Sequence, residues 1–231
     1  MFIHVLDLIG VFAFAIFGSY KALEKKFNIY GIIVCAALTA LGGGTIREVI
    51  LHRLPVYFAD HTYLHVTLAA ALLTILVYGH FAKIRSYALL MDALGLAVFS
   101  FIGAQKAGNA GLGCVGMIFF ASITAAGGGI LTDIITGDKP TPFTCEMYVL
   151  PAASGGCLYR LLEANHPTIY RAGFILLIPL AMRIGWLAGK GDLQLSGWLI
   201  RHTPGLFRRV TPGAADRRGQ HRARRRAVAP P

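Results

Sequence analysis

Charge is scarce in this 231-residue chain: 14% of residues are Asp, Glu, Lys or Arg, while 55% are hydrophobic. Soluble domains carry about 25% charged residues. The deficit, with a mean hydropathy of +0.60, excludes an ordinary soluble domain. It also excludes a disordered chain, which needs low hydrophobicity. Acids are scarcest, 11 against 22 lysines and arginines, for a net charge of +11. The cysteines Cys35, Cys114, Cys145 and Cys157 lie in or beside apolar runs without metal-ligand spacing. They read as small buried hydrophobes rather than a disulfide framework or metal site. No Ser/His/Asp constellation or phosphate loop stands out. Asp92-Ala-Leu-Gly95 and the glycine runs follow no strand, so a dinucleotide site has no support. His61 and His65 have i,i+4 spacing but no third ligand. The chain reads as a non-enzyme without a bound metal or cofactor.

The positive charge is concentrated. Residues 201–231 hold nine arginines and one acid, Asp216, leaving a net +3 on residues 1–200. No aromatic-rich or folded recognition element accompanies those arginines, so nucleic acid is not the expected partner. Anionic lipid is. A membrane helix needs about 20 mostly apolar residues, and seven windows qualify: about Phe2–Tyr20, Ile29–Leu51, Leu64–Phe81, Tyr87–Gln105, Leu112–Ile135, Thr144–Leu162 and Ala172–Leu187. The first is followed, not preceded, by positive charge (Lys21, Lys25, Lys26), which favours an anchor over a signal peptide. Basic residues gather in alternate loops, with Lys83, Arg85, Lys139, Lys190 and the tail on the same side as those lysines. The positive-inside rule then puts the tail in the cytoplasm and the N-terminus outside.

The sequence repeats itself at a constant offset without a gap. Asp7 falls on Asp92, Gly10 on Gly95, Phe14 on Phe99, Gly18 on Gly103, Lys21 on Lys106 and Pro55 on Pro140, and residues 6–58 give 17 identities in 53 positions. Gly42-Gly43-Gly44 falls on Gly127-Gly128-Gly129. Shared apolar composition does not align glycine triplets, aspartates and lysines. Each copy holds three spans, so the second must enter the membrane inverted, as in many transport proteins. The reading is an all-α integral membrane protein of seven transmembrane helices. Residues 1–85 form one three-helix repeat and 86–166 its inverted copy. A seventh helix follows at 167–190, then a basic, unstructured tail at 191–231.

Consecutive glycines cost a helix about 1 kcal/mol each relative to alanine. Two readings follow: they let helices approach closely, or they bend and open the helix and bare backbone groups toward a wet path. Matching triplets in inverted copies point to the second. Arg47 and Glu48 follow the first triplet, and Thr132 and Asp133 the second. Intramembrane charges face the bundle interior or a wet cavity. Arg47 could instead be a structural ion pair with an acid across the pseudo-axis. Asp7 and Asp92 could hydrogen-bond the broken backbones or line the path. For Lys21 and Lys106, near helix ends, snorkelling to the interface is the plainer role.

The segments GGGTIREVILHRLPVYF (Gly42–Phe58) and GGGILTDIITGDKPTPF (Gly127–Phe143), with the three-plus-three-plus-one layout, resemble the prokaryotic trimeric intracellular cation (TRIC) channel family. Related bacterial sequences are labelled glycine transporters. The resemblance covers about residues 1–190. It implies a homotrimer in the bacterial inner membrane, with one pore per protomer passing monovalent cations, chiefly potassium, beside the second and fifth helices. It also implies an Arg-Asp pair after each triplet. Glu48 replaces the first Asp and keeps its charge, while Thr132 replaces the second Arg, which would favour cations in the path. The expected pathway residues are Gly42, Gly43, Gly44, Arg47, Glu48, Gly127, Gly128, Gly129, Thr132 and Asp133, with Asp7, Asp92, Lys21 and Lys106 in support. The alternatives are a secondary transporter for a small zwitterion such as glycine, and a membrane scaffold whose arginine tail recruits acidic partners.

Overall fold

The computed structural model describes residues 1–78, 84–144, 146–163 and 168–189. The tail expected at 191–231, together with Lys83, Cys145 and Lys190, lies outside them. The described residues form eight α-helices and one short 3-10 turn, with no strand. The helices are α1 (Phe2–Glu24), α2 (Ile29–Ile50), α3 (Thr62–Tyr78), α4 (Ile84–Asn109), α5 (Cys114–Thr136), the single turn α6 (Thr141–Thr144), α7 (Glu146–Glu163) and α8 (Thr168–Gly189). Each apolar window of the sequence falls on one of the seven long helices. Among the described residues four are long and apolar enough to cross a membrane: α1, α2, α5 and the Arg85–Asn109 stretch of α4. Thr62–Tyr78 and Ile175–Gly185 are shorter apolar helices.

Residue sidedness explains why these helices assemble in lipid. On α3, Leu64, Leu68, Leu72 and Leu76 recur at i,i+4 and all lie exposed, whereas Tyr63, Thr67, Ala70, Ala71 and Thr74 are buried. Leucine faces outward and small or polar residues inward, the reverse of a water-soluble helix. The threonine hydroxyls satisfy themselves by back-bonding one turn, Thr67 to the Tyr63 carbonyl at 2.8 Å and Thr74 to that of Ala70 at 2.7 Å.

With leucines turned outward, the helices meet through small residues. A Cβ on Gly10 of α1 would lie 2.7 Å from Val98 of α4, and one on Gly95 of α4 would strike the ring of Phe14. Phe14 and Phe99, which are equivalent under the sequence repeat, have ring centroids 5.1 Å apart. A Cβ on Gly18 would lie 2.6 Å from the Cys35 carbonyl of α2, and one on Gly103 would strike the Phe120 carbonyl of α5. Backbone conformation follows the same offset. Among the described residues, those with left-handed φ are Lys26 and His52 in the first half, Gly111 and Gly137 in the second. They close α1, α2, α4 and α5 respectively.

Two expectations fail here. The glycine triplets neither break nor open their helices: α2 runs unbroken through Gly42–Gly44, and α5 through Gly127–Gly129. Of the described cysteines only Cys35 is buried. Cys114, at the start of α5, and Cys157 lie on the outside of the bundle, where a weakly polar thiol tolerates an apolar setting.

Candidate functional site

The site is built where α2 crosses α5. A Cβ on Gly43 would clash with the carbonyl oxygen of Thr124, and one on Gly128 with that of Thr39. Gly42 and Gly127 seat side chains of the opposite helix, Leu131 and Ile46, at 2.8 and 3.1 Å from their would-be Cβ atoms. The first glycine of each triplet therefore makes room for a side chain and the second for the opposite backbone. The third does not: a Cβ on Gly44 would meet only the Arg47 guanidinium at 3.8 Å, and one on Gly129 the Tyr148 hydroxyl at 3.3 Å. A hydroxyl pair, Thr39 with Thr132 at 2.6 Å, fastens the crossing.

Two charged clusters flank this contact. In one, Arg47 donates to Glu48 Oε1 through Nε (3.0 Å) and Nη2 (2.7 Å), and Lys106 of α4 stands 4.0 Å from the same oxygen. Asp7 accepts from the Tyr63 hydroxyl at 2.9 Å. Asp7, Tyr63, Gly44, Arg47 and Glu48 share a cavity of about 30 Å³, large enough to hold water. Arg47 Nη1 is buried, and among the described residues it has no hydrogen-bond partner. In the other cluster, Lys21 of α1 donates to Asp133 Oδ1, while Thr141 holds Asp133 Oδ2 through its amide (2.7 Å) and hydroxyl (3.0 Å). Asp92 accepts from the Tyr148 hydroxyl (2.8 Å) and from Arg183 Nη2 of α8 (3.0 Å). Lys25 extends this cluster outward to Asp138. That hydrogen bond, with the Thr136 hydroxyl bond and the nearby lysines, lowers the Asp138 pKa against a smaller upward effect of burial.

The sequence-derived residues come together, though with different partners from those expected. Arg47 pairs with its neighbour Glu48 rather than with an acid across the pseudo-axis, because i and i+1 carry opposite charges into one buried place. Asp7 and Asp92 bind tyrosine hydroxyls rather than backbone, because the helices keep their own hydrogen bonds. Lys21 is turned inward to Asp133 instead of snorkelling, being only 15% exposed against 30% for Lys106. Sequence reasoning missed Tyr63, Tyr148 and Arg183. The tyrosines are also equivalent under the repeat, a short way past Phe58 and Phe143 where the aligned stretch ends, and extending the alignment would have found them.

These features define an all-helical, multi-pass membrane protein with buried charges on both sides of a glycine-lined helix crossing. Solved structures share its fold. A TRIC cation channel studied for its conductance is 31% identical with a TM-score of 0.76, covering 82% of this chain and 95% of that one. The TRIC trimeric intracellular cation channel orthologue from Rhodobacter sphaeroides is 29% identical with a TM-score of 0.77, covering 82% and 98%. The family model described as glycine transporter matches twice, over residues 4–79 and 89–164. Relatives include a UPF0126 membrane protein of Deinococcus radiodurans, 36% identical over 84% of this chain and 90% of its own length. The UPF0126 inner membrane protein YadS of Escherichia coli K12 is 35% identical over 69% and 78%. The chain belongs to the family of glycine transporter and UPF0126 membrane proteins that these matches define.

Proposed function

We propose that the protein is a channel for monovalent cations, potassium among them, in the bacterial inner membrane. It assembles as a homotrimer with one pathway inside each protomer. Its seven spans are two inverted three-helix repeats plus α8, with the N-terminus outside and the basic tail on the cytoplasmic side. The likeness to TRIC cation channels supports the ion class, and the glycine, tyrosine and positive-φ positions recurring at one constant offset support the repeat.

One observation carries the reading: Glu48 and Asp133, each about 2% exposed or less, flank the crossing on α2 and α5 and face lysines from the opposite half. Helix contact at Gly43 and Gly128 leaves no gap between α2 and α5 at that level. Ions therefore pass beside the contact, along Gly44 and Gly129, where no neighbouring backbone fills the space. Arg47, Lys21 and Lys106 compete with a passing cation for the acids and act as internal counter-ions or gates. Thr132 braces the crossing, and Asp7 and Asp92 hold the flanking tyrosines.

Planar-bilayer recording of the purified protein tests the proposal. Discrete cation-selective unitary currents are expected. Glu48→Gln combined with Asp133→Asn should reduce conductance while the trimer persists on size exclusion, and unchanged conductance would remove the acids from the pathway. The family description as glycine transporter favours a second reading, a carrier for a small zwitterion. Slow, saturable glycine uptake into liposomes without unitary currents would select it.

A further inference from the structure

The acid–tyrosine pair occurs twice, but its arginine comes from two different places. Asp7–Tyr63 and Asp92–Tyr148 share geometry, with hydroxyl-to-carboxylate distances of 2.9 and 2.8 Å. Beside the first pair stands Arg47 of α2. Helical side chains lean back toward the preceding turn, and Arg47 accordingly covers Gly44, one turn earlier, inside the cavity that Asp7 and Tyr63 line. The repeat equivalent of Arg47 is Thr132, whose short side chain turns to Thr39. A guanidinium is nevertheless present beside the second pair. Arg183 of α8, 2% exposed, donates to Asp92 and lies with its Cζ 4.5 Å from the Tyr148 ring centroid.

We infer that Arg183 stands in for the arginine absent from position 132, so that α8 completes the second charged cluster instead of serving only as packing. Charge supports this. Among the described residues, Asp7, Glu48, Arg47 and Lys106 on one side are matched by Asp92, Asp133, Arg183 and Lys21 on the other, two acids and two bases in each apart from the outlying Lys25–Asp138 pair. A buried acid without a cation is costly, and losing one arginine is tolerated when another helix supplies it. The threonine therefore does not make the second half more anionic, contrary to what the sequence suggested. Geometry also supports an exchange. Gly129 lies one turn before Thr132, and its open face looks onto the Tyr148 hydroxyl. An arginine at 132 would run back over Gly129 toward Tyr148, as Arg47 runs back over Gly44 into the cavity lined by Asp7 and Tyr63 while donating to Glu48.

The test is a charge relocation in the full-length protein: Arg183→Ala, Thr132→Arg and the two combined, each purified into lipid nanodiscs. Arg183→Ala strands Asp92, and Thr132→Arg crowds two guanidinium groups onto one acid, so each alone should lower the thermal midpoint. The combination should recover most of the loss. Reversal potentials in a salt gradient give a readout that packing alone would not move: Arg183→Ala should shift selectivity and the combination should restore it. If Arg183→Ala does not fold, Asp92→Asn/Arg183→Ala removes the stranded charge and should fold. A combined variant no better than the worse single variant, or a neutral pair no better than Arg183→Ala, overturns the inference. The selectivity arm rests on the channel proposal and the midpoint arm does not. Rescue of the midpoint in a protein without currents would refute the channel and leave the role of Arg183 standing.

Discussion

The α2–α5 crossing makes a strict distinction within one glycine triplet. Replacing Gly43 with alanine drives a methyl into the Thr124 carbonyl oxygen and to 3.0 Å from its carbon. Gly128→Ala drives one into the Thr39 oxygen and to 2.8 Å from that of Leu38. Both obstacles are backbone, so no rotamer change relieves them, and the helices must part by roughly 1.4 Å to regain a ~3.5 Å contact. Such overpacking costs ~1–3 kcal/mol. Parting the helices also stretches the Thr39–Thr132 hydrogen bond, worth ~1 kcal/mol, while alanine returns ~1 kcal/mol of helix propensity. The net expectation is a loss of about 2 kcal/mol for either variant. Gly44→Ala meets only the end of a flexible Arg47 at 3.8 Å and should keep its propensity gain of up to ~1 kcal/mol. Denaturant titration in mixed micelles, followed by far-UV circular dichroism, would rank Gly44→Ala at or above the wild type, with Gly43→Ala and Gly128→Ala below it. Gly43→Ala as stable as the wild type, or Gly44→Ala as damaging as Gly43→Ala, would refute the close-packing account of the triplet.

Two further outcomes follow from backbone and surface electrostatics. Lys26 and His52 adopt φ of 59° and 54°, a conformation costing a side-chain-bearing residue ~1–2 kcal/mol. Replacing either with glycine should raise stability by ~0.5–1 kcal/mol after the entropy of the unfolded glycine is subtracted. Alanine at Gly111 or Gly137, which share that conformation, should lower it, and the same titration reads both signs. Asp60, in the α2–α3 connection, accepts hydrogen bonds from Thr62 and from His4 of α1, and its pKa falls from 3.8 to about 2. A depressed carboxyl stabilises the fold above its unfolded value. That contribution is present above pH 3.8 and disappears as pH falls toward 2. Thermal midpoints across this window should therefore drop less steeply for Asp60→Asn than for the wild type, and an identical slope would discount the Thr62 and His4 ties to Asp60.

Composition and spacing determined the helical membrane class, the positions of the seven long helices and the correspondence between the two halves. Those properties are written locally: an apolar stretch of sufficient length must become a helix in lipid, and two copies of one pattern fold alike. Even the short turn Val56–Phe58 has its counterpart in α6, at the equivalent place in the second half. The meaning of the glycine triplets was not local. A glycine that bends a helix and one that admits a neighbouring backbone carry the same propensity cost, and only the position of Thr124 and Thr39 across the crossing separates them. The same holds for charge. Lys21 and Asp133 are 112 positions apart, and Arg183 and Asp92 are 91 apart. An ionisable residue in an apolar run shows that a partner is needed, because unpaired charge in lipid is too costly. Which partner it finds depends on which helices lie side by side, and that was decided by tertiary packing.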